Sequence, residues 1–145
     1  MNVEVNGWAV LLAAVSSMVV GSLWYMPATF GKAWQKYTGV NAEKMRKSQQ
    51  PAQMAWMYGS VFVASLVMAF VLAHVAFIAH KFFGNSFLSD TVQTGFWLWL
   101  GFTAARIYVH DTFEGRRKKL TLLTTSHELV TVLVMALIIG AMGVN

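Results

Sequence analysis

The sequence contains no cysteine, only two prolines and few charged residues. Without cysteine, disulfide bonds, thiolate metal sites and a cysteine nucleophile are all excluded. Charged residues make up 12% of the chain and hydrophobic residues 57%, whereas a typical soluble domain is about 25% charged. This composition argues against a soluble domain and indicates a membrane protein.

Four stretches with almost no charge predict four membrane-spanning helices. No Asp, Glu, Lys or Arg occurs in residues 5–31, 48–80 or 91–105, and Glu128 is the only one after Lys119. A helix needs about 20 apolar residues to cross a hydrocarbon core of about 30 Å. We therefore predict an all-α, integral membrane four-helix bundle that occupies residues 1–145 as a single domain, with spans at about residues 8–26, 54–79, 91–109 and 120–142.

The basic residues predict the orientation of this bundle. Ten of the eleven lie in two groups, five in residues 32–47 and five in residues 106–119. Lys and Arg concentrate in loops that stay in the cytoplasm. We therefore expect the basic loops 32–53 and 106–119 to be cytoplasmic and both termini to lie outside. The net charge of +5 then faces an anionic leaflet, and we expect no nucleic-acid partner.

Small residues recur every fourth position on three of the predicted spans. One such row can let a neighbouring helix approach closely. We interpret these rows as packing faces within the bundle, and a face for a homo-oligomer is the alternative. The rows are Ala9, Ala13, Ser17 and Gly21; Ser65, Ala69 and Ala73; and Ala136 and Gly140.

The first basic loop carries two local helix signals. Asn41 can cap a short helix over residues 42–47, because its side chain can accept a hydrogen bond from a backbone N–H of the first turn. Pro51 suits the first turn of the following helix, where its missing N–H is not needed.

Arg106 and Glu128 are predicted to lie at the same depth. Both are equally far from residue 117, the middle of the turn between the last two spans, and Glu128 lies about 12 Å along its helix. An unpaired carboxylate at that depth is costly. We therefore predict an Arg106–Glu128 ion pair, serving either hairpin register or a binding or proton-relay role, with a Glu128 that reaches water as the remaining alternative.

The histidines do not have the spacing of a metal site or a catalytic triad. His127 and Glu128 are adjacent, and adjacent side chains on a helix point about 100° apart, so we expect them not to face one point. No H-x-x-H, H-x-x-x-H or H-E-x-x-H pattern occurs, and we predict no metal and no cofactor. Ser126-His127-Glu128 is contiguous and therefore does not form a triad. We favour a protein without catalytic activity.

Aromatic residues mark the two predicted membrane interfaces, and two tryptophans lie deeper. Trp8 falls at the outer boundary and Trp34 and Trp56 fall at the inner one, as in aromatic belts. Trp97 and Trp99 lie within the third predicted span, where we expect them to pack or to line an apolar cavity.

The segment from Gly21 to Trp34 resembles the signature of a known family. Its residues fit G-x-x-W-Y-x-P-x-x-F-G-x-x-W, which is similar to a bacterial family of small four-span inner-membrane proteins of unknown function. The resemblance covers the chain from about Trp8 onward and implies a bacterial inner-membrane protein. It implies no reaction.

The candidate site is the cytoplasmic mouth of the bundle, where the signature residues and the polar residues of the last two spans coincide. We predict that this mouth binds a lipid, a small amphiphile or a protein partner, and the alternative is a transporter or channel subunit that works as an oligomer. The candidate residues are Trp24, Tyr25, Pro27, Phe30, Trp34, Arg106, Tyr108, His110, Glu114, His127 and Glu128.

Overall fold

The computed structural model describes residues 3–144, and these residues are helical without any strand. The helices are α1 (Gly7–Trp24), α2 (Gly31–Thr38), α3 (Ala42–Ser48), α4 (Pro51–Phe83), α5 (Phe87–Leu98), α6 (Ala105–Phe113) and α7 (Lys118–Met142), and a π-helical segment (Trp99–Ala104) joins α5 to α6. The predicted all-α class is therefore confirmed.

Three helices, α1, α4 and α7, are long and apolar enough to cross a membrane. With 33 residues, α4 is about 50 Å long, so it extends beyond the predicted span 54–79 at both ends. The third predicted span corresponds to α5, the π-helical segment and α6. The backbone keeps right-handed helical dihedral angles at both junctions of this run.

The long helices pack around a core of small residues. Both α1 and α5 pack against α4 and α7. Apart from the half-buried Gly21, the predicted small-residue rows are buried in this core, with Ala13, Ala69 and Ala136 fully inaccessible. The hydroxyl groups of Ser17 on α1 and Ser65 on α4 are 2.8 Å apart and form a buried hydrogen bond between the two helices. The interpretation of the rows as packing faces within the chain is confirmed.

The loop between α1 and α4 forms the predicted short helix. Asn41 precedes α3, and its side-chain oxygen accepts a hydrogen bond from the Lys44 N–H at 2.9 Å. The next helix begins at Pro51. Both local predictions are confirmed because each depends only on chemistry within one helical turn.

The π-helical segment changes which residues of α6 face the bundle. With α-helical spacing throughout, Arg106 would follow Gly95 and Trp99 on the inward face. A π turn contains about one residue more than an α turn. The inward positions of α6 are accordingly the half-buried Ile107 and the buried Asp111, and Arg106 is exposed.

Gly140 sets the distance between α7 and α5. A Cβ at this position would lie 2.8 Å from the Leu88 Cα, a backbone atom that cannot move independently of α5. We expect Gly140→Ala to lower the free energy of unfolding by about 1–3 kcal/mol through overpacking. Thermal unfolding in detergent micelles measures this, with Gly59→Ala as the control because a Cβ at Gly59 would contact nothing within 4 Å. Equal melting temperatures for the two variants would contradict the packing described here.

Candidate functional site: an aromatic and histidine cluster

Helix α1 ends at Trp24 because Pro27, shortly after it, cannot donate a hydrogen bond to the last turn of the helix. The Thr29 hydroxyl instead lies 2.5 Å from the Leu23 carbonyl oxygen and 2.8 Å from that of Trp24. The Phe30 N–H also donates to the Trp24 carbonyl, at 3.1 Å. These bonds satisfy carbonyl groups at the end of α1 and direct the chain back toward it.

Gly31 allows α2 to begin directly against this turn. A Cβ on Gly31 would lie 2.7 Å from the Met26 carbonyl oxygen and even closer to that of Tyr25. Any larger residue would therefore open the turn. With glycine in place, α2 lies close enough to α1 for the rings of Trp34 and Tyr25 to meet edge to face, with centroids 6.0 Å apart.

The aromatic residues of this turn surround His127 of α7. The His127 ring centroid lies 5.1 Å from that of Tyr25 and 5.8 Å from that of Trp24. Trp24 in turn stacks on Phe30, with centroids 4.4 Å apart. We call the group formed by Trp24, Tyr25, Phe30, Trp34, His127 and Glu128 the His127 cluster. Six of the eleven predicted site residues are thus brought together, and Pro27 shapes the turn beside them.

The polar atoms of the cluster are only partly paired. His127 Nδ1 lies 3.3 Å from Glu128 Oε1, so the expectation that these neighbours would not face one point is wrong. The flexible glutamate side chain bends back to the ring. On the other side of the ring, His127 Nε2 is buried and has no hydrogen-bond partner in residues 3–144, and the same holds for Trp24 Nε1. Buried polar atoms are rarely left without a partner.

The predicted Arg106–Glu128 ion pair is wrong. No salt bridge joins the two side chains in the part of the chain that the structure describes, and Glu128 contacts His127 instead. Equal depth along two helices does not determine which way a side chain points around its helix axis. The π-helical segment rotates α6 so that Arg106 faces outward, which the residue numbers alone did not reveal. Tyr108 is exposed as well and lies outside the cluster.

His110 and Glu114 belong to a second group at the turn between α6 and α7. Atoms of His110, Asp111 and Glu114 that could bind a metal lie within 4.8 Å of one another. Histidine spacing does not predict this group, because it contains only one histidine. Arg116 already supplies a positive charge there, since its Nε lies 2.6 Å from Glu114 Oε2 and 3.7 Å from Asp111 Oδ1. Thr121 donates to Asp111 at 2.7 Å, so this group closes the turn. The absence of a metal stays a prediction.

Sequence reasoning missed a polar group at the opposite end of the bundle. Asp90, in the first turn of α5, is buried. Its Oδ1 accepts a hydrogen bond from Asn85 Nδ2 at 3.0 Å, and its Oδ2 lies 2.9 Å from His80 Nδ1. The signal was available in the sequence. His80 and Asp90 flank a connection of only three residues between α4 and α5, and Asn85 lies within it.

Comparison with known proteins supports the resemblance seen in the sequence. Residues 8–140 match a family described as "Protein of unknown function (DUF1761)". The chain belongs to this family. No curated protein and no solved structure matches the chain. The matched residues of the family include every member of the His127 cluster, so the cluster lies within the part of the chain that defines the family.

A pair of double-mutant cycles can test the contacts of Glu128 in this family member. Because Arg106 faces away, we expect the stability effects of Arg106→Met and Glu128→Gln to add within about 0.5 kcal/mol. Because the side chains of His127 and Glu128 touch, we expect His127→Phe and Glu128→Gln to be coupled by more than about 0.5 kcal/mol. Unfolding free energies in detergent measure both cycles. Coupling of more than about 0.5 kcal/mol between Arg106→Met and Glu128→Gln would show that these two side chains interact, and would contradict the structure.

Proposed function

We propose that this protein is a four-span integral protein of the bacterial inner membrane that binds a lipid or small amphiphile through the His127 cluster, without catalysing a reaction. The observation that carries the proposal is the pair of buried, unpartnered polar atoms, Trp24 Nε1 and His127 Nε2. They come from the end of α1 and from α7, and aromatic rings surround them. A ligand with a polar head and an apolar body suits such a site.

The charge distribution supports a cytoplasmic position for the cluster. All ten basic residues of the two loops are exposed. The loops also meet, since Arg117 Nη1 lies 3.4 Å from the Lys36 carbonyl oxygen, so they share one end of the bundle. Cytoplasmic loops are the ones that carry Lys and Arg, and the proposed orientation therefore has both basic loops inside, with both termini outside and the cluster near the inner surface.

The unpartnered atoms favour a hydroxyl group as the bound polar head. In the neutral form of His127, a proton on Nδ1 can bond to the Glu128 carboxylate 3.3 Å away, and Nε2 is then an acceptor. The indole N–H of Trp24 can only donate. A hydroxyl group can accept from Trp24 and donate to His127 at the same time. A monoacylglycerol, with two free hydroxyl groups on one acyl chain, has this chemistry.

The orientation can be tested with reporter fusions. We expect a reporter that is active only in the cytoplasm to be inactive when fused after Asn145 and active when inserted in the loop between α6 and α7. The physical reason is the cost of moving the basic loops across the membrane. Activity of the fusion at Asn145 would overturn the proposed orientation.

Ligand binding can be tested with monoacylglycerol as the probe. We expect Trp24→Phe, which keeps the aromatic ring and removes the donor, to weaken binding about fivefold, the effect of about one hydrogen bond. Native mass spectrometry of the purified protein measures the bound fraction. Trp56→Phe is the matched control, since Trp56 is an exposed tryptophan of α4. Equal weakening by both variants, or equal binding of a fatty acid methyl ester that has no hydroxyl group, would contradict the proposed site.

A further inference from the structure

A lateral groove runs between α4 and the helical run of α5 and the π-helical segment. It has two sections with cavity volumes of about 310 Å³ and 330 Å³, and Leu98 and Phe102 line both of them. The two sections therefore adjoin at these two residues. Phe102 is 79% exposed and Trp97 is 64% exposed, so the groove opens sideways, toward the surface that lipid would cover.

The groove has about the length of one membrane leaflet. Along α4 its lining reaches from Val67 to Phe83, which corresponds to about 24 Å at 1.5 Å per residue. Half of a bilayer, with its headgroup region, is about 20–22 Å thick. One end of the groove lies at the loop between α4 and α5, and the other lies beside Met135 in the core. An acyl chain of one leaflet can follow this path.

The loop end of the groove is polar and rich in hydrogen-bond acceptors. Asp90, Asn85 and Gln93 line it. Asn85 donates to Asp90, and Gln93 Nε2 donates to Ser89 at 3.0 Å. Within residues 3–144 no hydrogen bond to either amide oxygen is formed. Each carboxylate oxygen of Asp90 keeps a second lone pair.

One carboxylate, that of Asp90, lines this end of the groove. The hydrogen bond from Asn85, followed by the contact with His80, holds the pKa of Asp90 below its usual range, and Asp90 precedes the expected span 91–109. Lys81 is a cation on the same stretch of α4, but its Nζ lies over the Phe77 ring, 5.2 Å from the centroid, and it does not line the groove. The groove thus complements a cationic head that donates hydrogen bonds.

We propose that this groove is a second lipid site, at the end of the bundle opposite the His127 cluster, and that it binds a phospholipid with a primary ammonium headgroup. The ammonium group donates to Asp90 and the amide oxygens. The acyl chain lies along Trp97, Leu98 and Phe102 toward Met135. A trimethylammonium headgroup carries a positive charge but no N–H, so it lacks the donors that the site requires.

A competition between headgroups tests this proposal. The purified full-length protein is equilibrated with equal amounts of phosphatidylethanolamine, phosphatidylcholine and phosphatidylglycerol that carry identical acyl chains, and native mass spectrometry measures the lipid retained. We expect phosphatidylethanolamine to be retained about tenfold over phosphatidylcholine, the effect of one hydrogen bond to a charged group. Asp90→Asn should abolish this preference. Equal retention of the two lipids, or preferential retention of phosphatidylglycerol, would overturn the proposal.

Further variants test the headgroup contact, the acyl-chain contact and the independence of the two sites separately. Gln93→Leu removes an exposed acceptor and should reduce the preference even if Asp90→Asn does not fold. Trp97→Ala should lower retention of all three lipids, whereas Trp56→Ala, at an exposed tryptophan outside the groove, should not. Trp24→Phe should leave the headgroup preference unchanged, so failure of the His127 site and failure of the groove are distinguishable. A preference that survives both Asp90→Asn and Gln93→Leu would place the lipid elsewhere.

Discussion

Close contact between helix backbones is the constraint on which this structure depends. In lipid there is little hydrophobic gain from bringing helices together, so association relies on van der Waals packing and on hydrogen bonds between helices. The small residues Ala13, Ala69 and Ala136 are fully buried for this reason, and Gly140 brings α7 against the backbone of α5. Small side chains make the closest approaches between helices, and most of the large aromatic side chains lie at the ends and on the flanks of the bundle. Both candidate binding regions consist of these displaced aromatics together with a few polar groups.

The two regions differ in how they are built. The His127 cluster is held by local geometry, because Pro27, Thr29 and Gly31 fix a turn that places two aromatic rings against one histidine. The lateral groove depends instead on the spacing of α4 from α5 and the π-helical segment, and it is open along its length. A compact cluster with unpaired buried atoms suits recognition of a polar head, and an open groove suits an extended chain.

The sequence was sufficient for those features that depend on local chemistry or on long averages. Helical class, the small-residue packing faces, the Asn41 cap and the start of α4 at Pro51 follow from composition and from contacts within a few residues. Depth along the helices also places Trp24 and Tyr25 at the level of His127, and the structure brings these rings into contact. The sequence failed where rotation about a helix axis decides the outcome. A π turn has no sequence signature in this chain that we recognise, so Arg106 was assigned to the inward face that Ile107 occupies. Asp90 was not predicted as a site residue, because its contacts with His80 and Asn85 form only when α4 and α5 lie side by side.

The π-helical segment has an evolutionary implication. One extra residue is accommodated within a helix without a break, so the sequences on either side of it are free to follow different periodic patterns. The half before it can keep Thr91 and Gly95 against α7, while the half after it exposes Arg106. A protein built from an uninterrupted α-helix would have to compromise between tight packing at one surface and a cationic rim at the other. The π turn therefore lets the two halves of one helical run present different residues to the bundle.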